Sequence, residues 1–524
     1  MVQELFTAQD LSQIRNHGLS VDEAKRHIRL FKAPPPYLNL VRPVTSGDGI
    51  KVIAREEMQR LIALYEAEAM EGRCLKFVPA SGAATRMFKT LFQYLNQGSE
   101  ITKRLIERQA QEGHTEAREF LKFMEGIRKF AFFKELASEM SEKGLHVDEF
   151  IEAGRFTEII RNLLSESGMN YGVLPKALLP FHDYGQKNRT AFEEHLVEAA
   201  SYVESKNGKC VLHFTVSREH LEAFETLLEK IKPAYQYEFG TLFEVSFSFQ
   251  KRSTDTLAVD LKNRPFRQRN GQLLFRPGGH GSLIENLNDL RGDIVFIKNI
   301  DNVVPDRLKP ETYTWKKVLG GYLVHLQKKV FDYMESLLSG NMDKSFLSRV
   351  IHFMRNDLCL DINFPAESAS LDTKRAFLME KLDRPIRICG MVKNEGEPGG
   401  GPFWVKDPIN GMSLQIVETA QIDPDSDEQQ AILNSSTHFN PVDLVCGVRN
   451  RAGEPFDLRR YVDQDAVFIS KKSKEGKELK ALEHPGLWNG GMARWITLFV
   501  EVPAITFNPV KTVNDLLRKE HQPG

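Results

Sequence analysis

Five short clusters of small, basic and amide side chains carry the residue types that bind phosphate. The first cluster, Ser81-Gly82-Ala83-Ala84-Thr85-Arg86, follows an apolar run that ends at Pro79. A strand that stops in small residues and continues as a helix leaves backbone amides unpaired, and such a turn attracts phosphate. Thr85 adds a hydroxyl and Arg86 a fixed positive charge. We predict a phosphate-binding turn here. A tight turn that merely packs a helix on a sheet is the alternative.

Two of the clusters place a lysine directly after a proline-containing segment. Lys176 follows Pro175 and precedes an apolar run. Lys511 follows Asn508-Pro509-Val510 and precedes a helix start that Thr512 or Asn514 could cap. Because proline restricts the backbone, each ammonium group is expected to project from a rigid frame, where its compact charge suits a phosphate. A solvated surface lysine is the ordinary alternative for each.

The two remaining clusters supply a carboxylate and a glycine-rich loop. The apolar run Asp293–Ile297 leads to Asp301, which Asn299 and Asn302 flank, and a carboxylate at that place is suited to hold Mg²⁺ against phosphates. An ordinary Asn/Asp turn is the alternative. In Pro277-Gly278-Gly279-His280-Gly281-Ser282, three glycines around a histidine would let a flat ligand lie close to the main chain. A plain flexible loop is equally consistent with that pattern, which lacks the Gly-Lys-Ser/Thr end of a P-loop.

Strands that alternate with helices are expected to position these clusters. This alternation predicts an α/β protein with a mainly parallel central sheet, whose ligand site lies at the carboxyl ends of the strands. We predict an N-terminal helical region over residues 1–72 and an α/β domain over 73–524. That domain would contain a helical insertion at about 87–167 and a second helical segment at about 311–356. The predicted strands cover residues 75–79, 210–216, 243–249, 293–297, 386–392 and 495–502.

Composition and charge exclude several classes of function. The chain has 524 residues, with 70 basic and 71 acidic side chains and a net charge of −1, which argues against a general nucleic-acid or membrane-surface binder. No apolar run approaches the length of a membrane span, and the first residues lack the pattern of a signal peptide. The five cysteines are scattered without metal-ligand spacing, as expected for reduced thiols. We therefore predict a cytoplasmic protein.

Taken in chain order, the clusters resemble the landmarks of UDP-sugar pyrophosphorylases, especially the UDP-glucose and UDP-N-acetylglucosamine enzymes. Ser81–Arg86 resembles their glycine-rich nucleotide loop, Pro175-Lys176 their Pro-Lys element, Pro277–Gly281 their Pro-Gly-His-Gly loop, and Asn299–Asn302 their Asn-x-Asp-Asn turn. Further along, Gln415–Ile422 is similar to their Leu-Glu-x-Ala-Gln strand, Thr437–Phe439 to the turn after it, and Asn508–Leu517 to their Leu-Pro-Val-Lys-x-x-x-Asp-Leu-Leu signature. The whole chain also resembles a bacterial family described only as a domain of unknown function.

The resemblance implies a fold, a reaction and a metal. The fold would be that of the nucleotide-diphospho-sugar transferases, which is Rossmann-like and of the GT-A type. The reaction would transfer a nucleotidyl group from a nucleoside triphosphate, with UTP favoured, to a sugar 1-phosphate and release pyrophosphate, with Mg²⁺ as cofactor. The acceptor phosphate is already a nucleophile, so catalysis would depend on alignment and on neutralisation of charge rather than on a general base.

The resemblance also implies a role for individual residues. The backbone of Ser81, Gly82, Ala83, Ala84 and Thr85 would bind the triphosphate together with Arg86. Lys176 would neutralise charge at the α-phosphate, Asp301 would hold Mg²⁺, and Lys511 would hold the phosphate of the sugar substrate. Gly279, His280 and Gly281 would lie against the base, and Glu418, His438 and Asn299 would face the sugar.

Departures from the family pattern leave alternatives open. Ala83, Ala84 and Phe88 stand where glycines are usual, the stretch between the first loop and Lys176 is unusually long, and the loop Glu395–Trp404 has no clear counterpart. One alternative is a catalytically inactive protein that binds a nucleotide or a nucleotide sugar. Another is a glycosyltransferase on the same fold, although Asn299 then replaces the first residue of the usual Asp-x-Asp motif. A helical scaffold without catalytic function is the third.

Overall fold

The computed structural model describes residues 5–340, 342–366, 368–396, 400–407 and 411–523, so part of the loop Glu395–Trp404 lies outside the described residues. The α-helices of these residues are α1 (Ala8–His17), α2 (Val21–Lys32), α3 (Arg55–Met70), α4 (Lys89–Asn96), α5 (Lys103–Gln111), α6 (Thr115–Gly126), α7 (Phe133–Glu142), α8 (Val147–Glu152), α9 (Thr157–Leu164), α10 (Ala191–Tyr202), α11 (Leu221–Phe239), α12 (Ile284–Asp289), α13 (Lys309–Leu338), α14 (Lys344–Asn356), α15 (Leu371–Leu382) and α16 (Asp427–Asn434). None of them is both long enough and apolar enough to cross a membrane.

The strands include every run that the sequence analysis predicted as a strand. They are β1 (Leu40–Pro43), β2 (Thr45–Ser46), β3 (Gly49–Lys51), β4 (Cys74–Pro79), β5 (Pro180–Asp183), β6 (Asn188–Thr190), β7 (Lys209–Thr215), β8 (Leu242–Ser248), β9 (Thr256–Leu257), β10 (Phe275–Arg276), β11 (Ile294–Lys298), β12 (Ile386–Lys393), β13 (Gly401–Asp407), β14 (Gly411–Val417), β15 (His438–Gly447), β16 (Phe468–Lys474), β17 (Lys477–Glu483) and β18 (Ile496–Glu501).

Local sequence explains where key elements begin and why they are buried. Helix α10 begins with a capping box, in which the Thr190 hydroxyl accepts the Glu193 N–H and the Glu193 carboxylate accepts the Thr190 N–H. Strand β11 reads Ile-Val-Phe-Ile-Lys, and all five of its residues are buried. Such a continuous apolar run is typical of a parallel strand that is covered on both faces.

The chain divides into two compact units. Unit 1 contains Met1–Phe77, Ser248–Ile297 and Lys316–Pro503, and unit 2 contains Val78–Phe247, Lys298–Trp315 and Ala504–Gly524. The division predicted from the sequence, at residue 72, differs from this one and stays a prediction.

Unit 1 is built on a mainly parallel sheet, as predicted. Its strands follow the order β2-β3-β18-β12-β15-β11-β4. The pairs β2/β3, β3/β18, β18/β12 and β11/β4 are parallel, whereas β12 and β15 are antiparallel. A second, antiparallel sheet joins β1, β13 and β14. Side chains of the central strands, among them Phe77, Ile297, Leu444 and Phe499, form the main hydrophobic core.

Unit 2 contains the strands β7 and β8. It also contains the helices α4 to α11, which lie between β4 and β8 in the chain. Helices α4 to α9 occupy the region predicted as a helical insertion. A cluster of four aromatic rings, Phe192, Phe214, Phe224 and Phe247, fills the space between α10, β7, α11 and β8, with ring centroids 4.6 to 6.3 Å apart. This cluster fixes α10 against the strands.

The N-terminal region differs from the prediction. Residues 1–72 contain α1, α2 and α3, but residues 40–51 form strands β1, β2 and β3 rather than helix. Strand β1 is extended because it pairs with β13, with Leu40 opposite Val405. A partner so distant in the chain leaves no local pattern from which the strand could be predicted.

Gly321 allows α13 to lie directly against α3, which gives a test of the packing in unit 1. An ideal Cβ at Gly321 would lie 1.9 Å from the carbonyl oxygen of Leu61. We expect Gly321→Ala to lower the free energy of unfolding by about 1–3 kcal/mol, because the methyl group forces the helices apart. Urea unfolding measures this change. In the control Gly82→Ala the new Cβ would meet nothing within 4 Å, so its unfolding midpoint should match the wild type. Equal midpoints for both variants would contradict the packing described here.

Candidate active site

Two neighbouring parallel strands bring two of the predicted clusters to one edge of a sheet. Strands β4 and β11 pair in parallel, from Ile294 opposite Cys74 to Ile297 opposite Phe77. The carboxyl ends of parallel neighbours meet at the same edge, where α/β proteins bind ligands. Strand β4 continues into the loop at residues 80–86, and β11 continues into the turn at residues 299–302. Both of these segments belong to unit 2.

The loop after β4 presents unpaired backbone amides to solvent. The Ala80 N–H donates to the Thr215 carbonyl at 2.8 Å, which holds the start of the loop. Ser81, Gly82 and Ala83 are exposed, and in the described part of the chain their amides donate to no backbone carbonyl. Exposed amides that are close in sequence are what a phosphate group can bind.

The helix behind this loop begins later than predicted. Residues Ala84–Arg86 form a 3₁₀ turn, and α4 begins only at Lys89, where its preceding residue Phe88 provides no side-chain cap. The loop was expected to continue directly as a helix, but the tight turn is completed before the α-helical hydrogen bonds begin. Residues 87 and 88 separate the loop from the N-terminal end of α4, where the helix dipole is positive. The dipole therefore attracts a negative group at the loop less strongly.

Three hydrogen bonds tie this loop to the segment that carries Lys176. The Ala84 N–H donates to the Leu174 carbonyl at 3.0 Å, and the Lys176 N–H donates to the Gly82 carbonyl at 3.1 Å. The Thr85 hydroxyl donates to the Gly172 carbonyl at 3.3 Å. The structure therefore brings Lys176 beside the loop at residues 80–86, although the helices α4 to α9 separate the two in sequence.

The side chains of Lys176 and Asp301 form an ion pair next to this loop. Lys176 Nζ lies 2.7 Å from Asp301 Oδ2 and donates a second hydrogen bond, of 2.8 Å, to the Val510 carbonyl. The two side chains are 14% and 19% exposed. An ammonium group has three donors, so one remains for a ligand. Oδ1 of Asp301 makes no hydrogen bond with any residue that the structure describes.

Asn302 joins the Asp301 turn to the C-terminal segment. Its buried side chain accepts the Asn508 N–H at 2.9 Å and donates to the Thr506 carbonyl at 3.4 Å. The Val510 N–H donates to the Asp301 carbonyl at 3.1 Å. The Asn-Ile-Asp-Asn turn and the segment before Lys511 therefore form one hydrogen-bonded structure.

Lys511 lies at the start of a turn that also contacts Met87, the residue after the loop at residues 80–86. The Lys511 and Thr512 N–H groups both donate to Asp515, at 2.8 and 2.7 Å. Thr512 occupies the N-cap position of the 3₁₀ turn Val513–Leu517, where a helix start was predicted. Burial would raise the pKa of Asp515, but these amides and Arg518 hold it below its usual value. The Val513 N–H donates to the carbonyl of Met87, the residue after Arg86. Lys511 and Arg86 are both exposed.

One helix of the predicted insertion supports this capped turn. The Asn514 side chain donates to the backbone carbonyl of Glu119 at 2.8 Å and to its carboxylate at 2.7 Å. Gly126 lies so close to Leu517 that a Cβ would be 2.5 Å from its Cδ1. Both Glu119 and Gly126 belong to α6. The insertion therefore has a structural role, because α6 holds the segment that carries Lys511.

Behind the site, α10 presents charged side chains that are completely buried. Glu198 pairs with Lys298 at 2.7 Å, with side chains 0% and 1% exposed. His195 Nε2 lies 3.2 Å from the Ile300 carbonyl, to which it donates. These two contacts hold the backbone immediately before Asp301 from one side.

A second group of buried charges continues from Glu194 on the same helix. Glu194 pairs with Lys309 and with His182, whose Nδ1 lies 2.8 Å from Glu194 Oε1. Burial would raise the pKa of Glu194, but the hydrogen bond from His182 and the charge of Lys309 lower it below its usual value. The sequence analysis missed α10, because its Glu and His residues look like those of an exposed helix. The only signal was Lys298, a lysine at the end of a buried strand.

In unit 1, two further predicted site residues are neighbours. His280 Nε2 lies 3.4 Å from Glu418 Oε1, and the side chains are 31% and 41% exposed. The Leu487 N–H donates to His280 Nδ1, so in the neutral imidazole the proton is on Nε2 and points to Glu418. The imidazole stacks on Trp488, with ring centroids 4.4 Å apart. Trp488 was not predicted, because an isolated tryptophan has no sequence signal.

The glycines around His280 have a different role from the predicted one. We expected them to let a flat ligand approach the main chain. Instead, a Cβ at Gly279 would lie 2.7 Å from Glu483 Oε2, and one at Gly281 would lie 2.1 Å from the Pro485 carbonyl. The protein's own segment 483–485 fills this space, so these glycines allow one loop to pack on another.

His438 is not accessible in the way that a contact with a sugar requires. Its side chain is 3% exposed and lies 3.4 Å from Glu501 Oε2, while Nδ1 lies 2.8 Å from the Thr437 hydroxyl. The residue begins β15, in which every residue is buried. The predicted sugar contact of His438 therefore does not agree with the structure, because the sheet covers the side chain.

A cleft of about 320 Å³ lies beside Glu418 and Trp488. Phe439, Asn440 and Val442 also line it. Val442 has φ = 55°, which is rare for a β-branched residue, and the Asn440 side chain accepts its N–H at 3.1 Å. Such strained residues concentrate at functional sites. The cleft is a candidate binding region of unit 1, and residues of the motif Gln415–Ile422 form part of its wall.

The described residues contain no group of three or more His, Cys, Asp or Glu side chains placed to hold a metal ion. Asp301 supplies a single carboxylate with one uncommitted oxygen. This donor set fits Mg²⁺ that arrives with a nucleotide, because Mg²⁺ is commonly held by one or two carboxylates together with substrate phosphates and water.

Comparisons with known proteins give one family match. The family model described as Domain of unknown function (DUF4301) matches residues 7–522. No curated protein matches the chain.

Solved structures of pyrophosphorylases give weak matches. UDP-N-acetylglucosamine pyrophosphorylase from Trypanosoma brucei is 12% identical over 99% of this chain and 80% of its own, with a TM-score of 0.48. A mutant UDP-glucose pyrophosphorylase from Leishmania major, in complex with UDP-glucose, is 12% identical over 97% and 77%, with a TM-score of 0.43. At these scores the likenesses carry no argument about function.

The buried pair under the Asp301 turn can be tested by a double-mutant cycle. We expect Glu198→Leu to lower the free energy of unfolding by about 3–5 kcal/mol, because Lys298 is left buried without its counter-charge. The double variant Glu198→Leu/Lys298→Met should lose less, since no charge then remains buried. Chemical unfolding of the wild type, the two single variants Glu198→Leu and Lys298→Met, and the double variant measures the coupling. Additive losses would show that the two side chains do not depend on each other.

Proposed function

We propose that this chain, which belongs to the family described as Domain of unknown function (DUF4301), is a nucleotidyltransferase. It would join a nucleoside triphosphate, with UTP favoured, to a sugar 1-phosphate and release pyrophosphate. The observation that supports this most is the meeting of Lys176, Asp301 and the Val510 carbonyl beside a loop with exposed amides. Lys511 follows Val510 directly. Positive charge and amide donors are thus concentrated where a nucleotide would bring its phosphates.

The loop after β4 is assigned to the triphosphate. The exposed amides of Ser81, Gly82 and Ala83 would donate to phosphate oxygens, and the exposed guanidinium of Arg86 would add a charge-assisted contact. Gly82 has open space where a Cβ would be. The protein itself does not require a glycine there, whereas a phosphate that lies against the backbone would.

The two lysines are assigned to the reacting phosphates. An oxygen of the sugar phosphate attacks the α-phosphorus, the bond from that phosphorus to the bridging oxygen breaks, and pyrophosphate leaves with the electron pair. The remaining N–H of Lys176 would neutralise the charge that develops at the α-phosphate, and Lys511 would hold the sugar phosphate. The attacking phosphate is an anion at neutral pH and has no proton to lose, so no general base is needed.

Asp301 is the residue that would hold Mg²⁺ through its uncommitted oxygen. The metal would supply neutralisation of the charge on the leaving pyrophosphate. Lys176 keeps its contact with the Val510 carbonyl whether or not Asp301 engages a cation, because the two hydrogen bonds use different N–H groups.

The residues of unit 1 are assigned to the base and the sugar. His280 would lie against the base, and the stacked Trp488 holds its ring in place. The sugar contacts predicted at Glu418 and Asn299 stay predictions. The buried His438 would act by holding the strand before Phe439 rather than by touching the sugar.

Release of pyrophosphate from UTP and a panel of sugar 1-phosphates tests the proposal. We expect Lys176→Ala and Asp301→Asn each to lower the rate at least about 100-fold, the usual effect of removing an electrostatic contact to the transition state. Chelation of Mg²⁺ should abolish release. The matched control is Lys209→Ala, since Lys209 also pairs with a carboxylate, Glu244, but on an exposed surface. Wild-type rates in both site variants would refute the assignment, and unfolding midpoints would show that the variants are folded.

The same assay separates the alternatives. Ala83 and Ala84 in the loop favour an inactive protein that binds a nucleotide without turning it over. UTP would raise the melting temperature of such a protein, but no pyrophosphate would be released. Transfer of a sugar from a nucleotide sugar, again without pyrophosphate, would indicate a glycosyltransferase.

Gly82→Val isolates the role of the loop in binding. The new side chain meets no protein atom within 4 Å of its Cβ, so the fold should be unaffected. We expect it to occupy the space of the phosphate and to weaken triphosphate binding about tenfold or more, that is, by at least about 1.4 kcal/mol. Isothermal titration calorimetry with UTP and Mg²⁺ measures this. An unchanged dissociation constant would place the phosphates elsewhere.

A further inference from the structure

A basic cleft lies in unit 1, among residues that have no part in the proposed reaction. It has a volume of about 490 Å³. It lies between the C-terminal end of α15, the 3₁₀ turn at Leu458–Tyr461 and the segment after the 3₁₀ turn at Gly490–Met492. The polar residues that line it are Glu380, Asp383, Arg384, Arg460, Tyr461 and Arg494.

The three arginines of this cleft have few partners within the protein. Arg460 and Arg494 are exposed, and neither side chain makes a hydrogen bond or an ion pair with another residue that the structure describes. The Arg384 side chain is only 15% exposed, and its Nη2 lies 3.7 Å from Glu380, beyond hydrogen-bond distance. Since each guanidinium has five N–H donors, most of the donors at this cleft remain available.

The acidic residues of the cleft do not neutralise these charges. Glu380 is 69% exposed, so water screens most of its attraction for Arg384. Burial lowers the pKa of Arg384, and the positive charge of Arg494 lowers it further. Burial raises the pKa of Asp383, whereas the charge of Arg451 lowers it. The cleft is thus lined by three guanidinium groups and two carboxylates, so positive charge is in excess.

Helix capping explains only one of the three arginines. Arg384 Nε donates to the Glu380 carbonyl at 3.2 Å, and a cation at the C-terminal end of α15 is favourable for the helix dipole. Arg460 and Arg494 come from other segments. Their backbone N–H groups donate to the carbonyls of Asp457 and Tyr461, both at 3.1 Å, so separate turns set their positions. A stabilising role at the helix end would not require either of them.

We propose that this cleft is a binding site for a small phosphate-bearing anion. A guanidinium group can donate two parallel hydrogen bonds to the oxygens of one phosphate group. Three guanidinium groups around one cleft therefore suit a ligand with two or more negative charges. The volume is within the range of small-molecule sites, roughly 300–1,000 Å³. The ring of Tyr461, whose hydroxyl donates to the Asp383 carbonyl at 3.3 Å, forms a fixed wall for the uncharged part of the ligand.

Calorimetric titration with inorganic phosphate at constant ionic strength tests the site. Phosphate could also bind at the proposed active site, so the titration uses the full chain with Lys176→Ala and Lys511→Ala as background. We expect phosphate to bind this background, and Arg460→Gln/Arg494→Gln to weaken the binding at least tenfold. Both substituted arginines are exposed, so the fold should be kept. The control is Arg29→Gln, an exposed arginine on α2 of the same unit, which should leave the affinity unchanged.

Three results would overturn the proposal. The first is that phosphate does not bind to the background protein. The second is that Arg460→Gln/Arg494→Gln leaves the affinity for phosphate unchanged. The third is that Arg29→Gln weakens the binding as much as the double substitution does. A parallel titration with citrate, a polycarboxylate, decides the chemical class. Phosphate binding more tightly than citrate supports the assignment, whereas tighter binding of citrate would contradict the phosphate class.

Discussion

The ion pair between Lys176 and Asp301 is the contact on which the arrangement of the candidate active site depends. Together with the second hydrogen bond of Lys176, it joins three segments that lie far apart in the chain: the segment that holds the loop at residues 80–86, the turn after β11, and the C-terminal segment at Val510. Each side chain is mostly shielded from water, so each charge needs the other to remain stable in place. A ligand with phosphate groups would therefore meet charges that are already positioned, with little reorganisation left to make.

The fully buried charges of α10 supply the rigidity behind this pair. Glu198 with Lys298 and Glu194 with Lys309 are costly to desolvate, and their attraction offsets this cost without a large surplus. Such pairs do fix the positions of the segments that carry them, because a buried charge is stable only next to its partner. Since Lys298 and Lys309 flank the turn of Asp301 in sequence, their partners on α10 fix both ends of the segment that contains it.

The sequence predicted those parts of the fold and site that local patterns encode. Strands such as β4 and β11 are continuous apolar runs, and the residues after them, the small-residue loop and Asp301, could be placed at the ends of parallel strands. Strands β1 and β3 could not be predicted, because their extended form depends on pairing with distant segments. Helix α10 was missed since buried and exposed carboxylates look the same in sequence. The burial of His438 and the packing of Gly279 also depend on neighbours that sequence does not reveal.

The second hydrogen bond of Lys176 explains how two phosphates could be aligned by one piece of backbone. Its acceptor, the Val510 carbonyl, belongs to the residue before Lys511, and the Val510 N–H is itself bound to Asp301. The position of the Lys176 ammonium is therefore set relative to the backbone from which Lys511 projects. The Asp515 cap fixes that backbone in turn. Two flexible side chains would ordinarily lose considerable freedom when they hold two reacting groups in line. Here the shared backbone has already removed part of that freedom, so more of the binding energy is left for alignment of the phosphates.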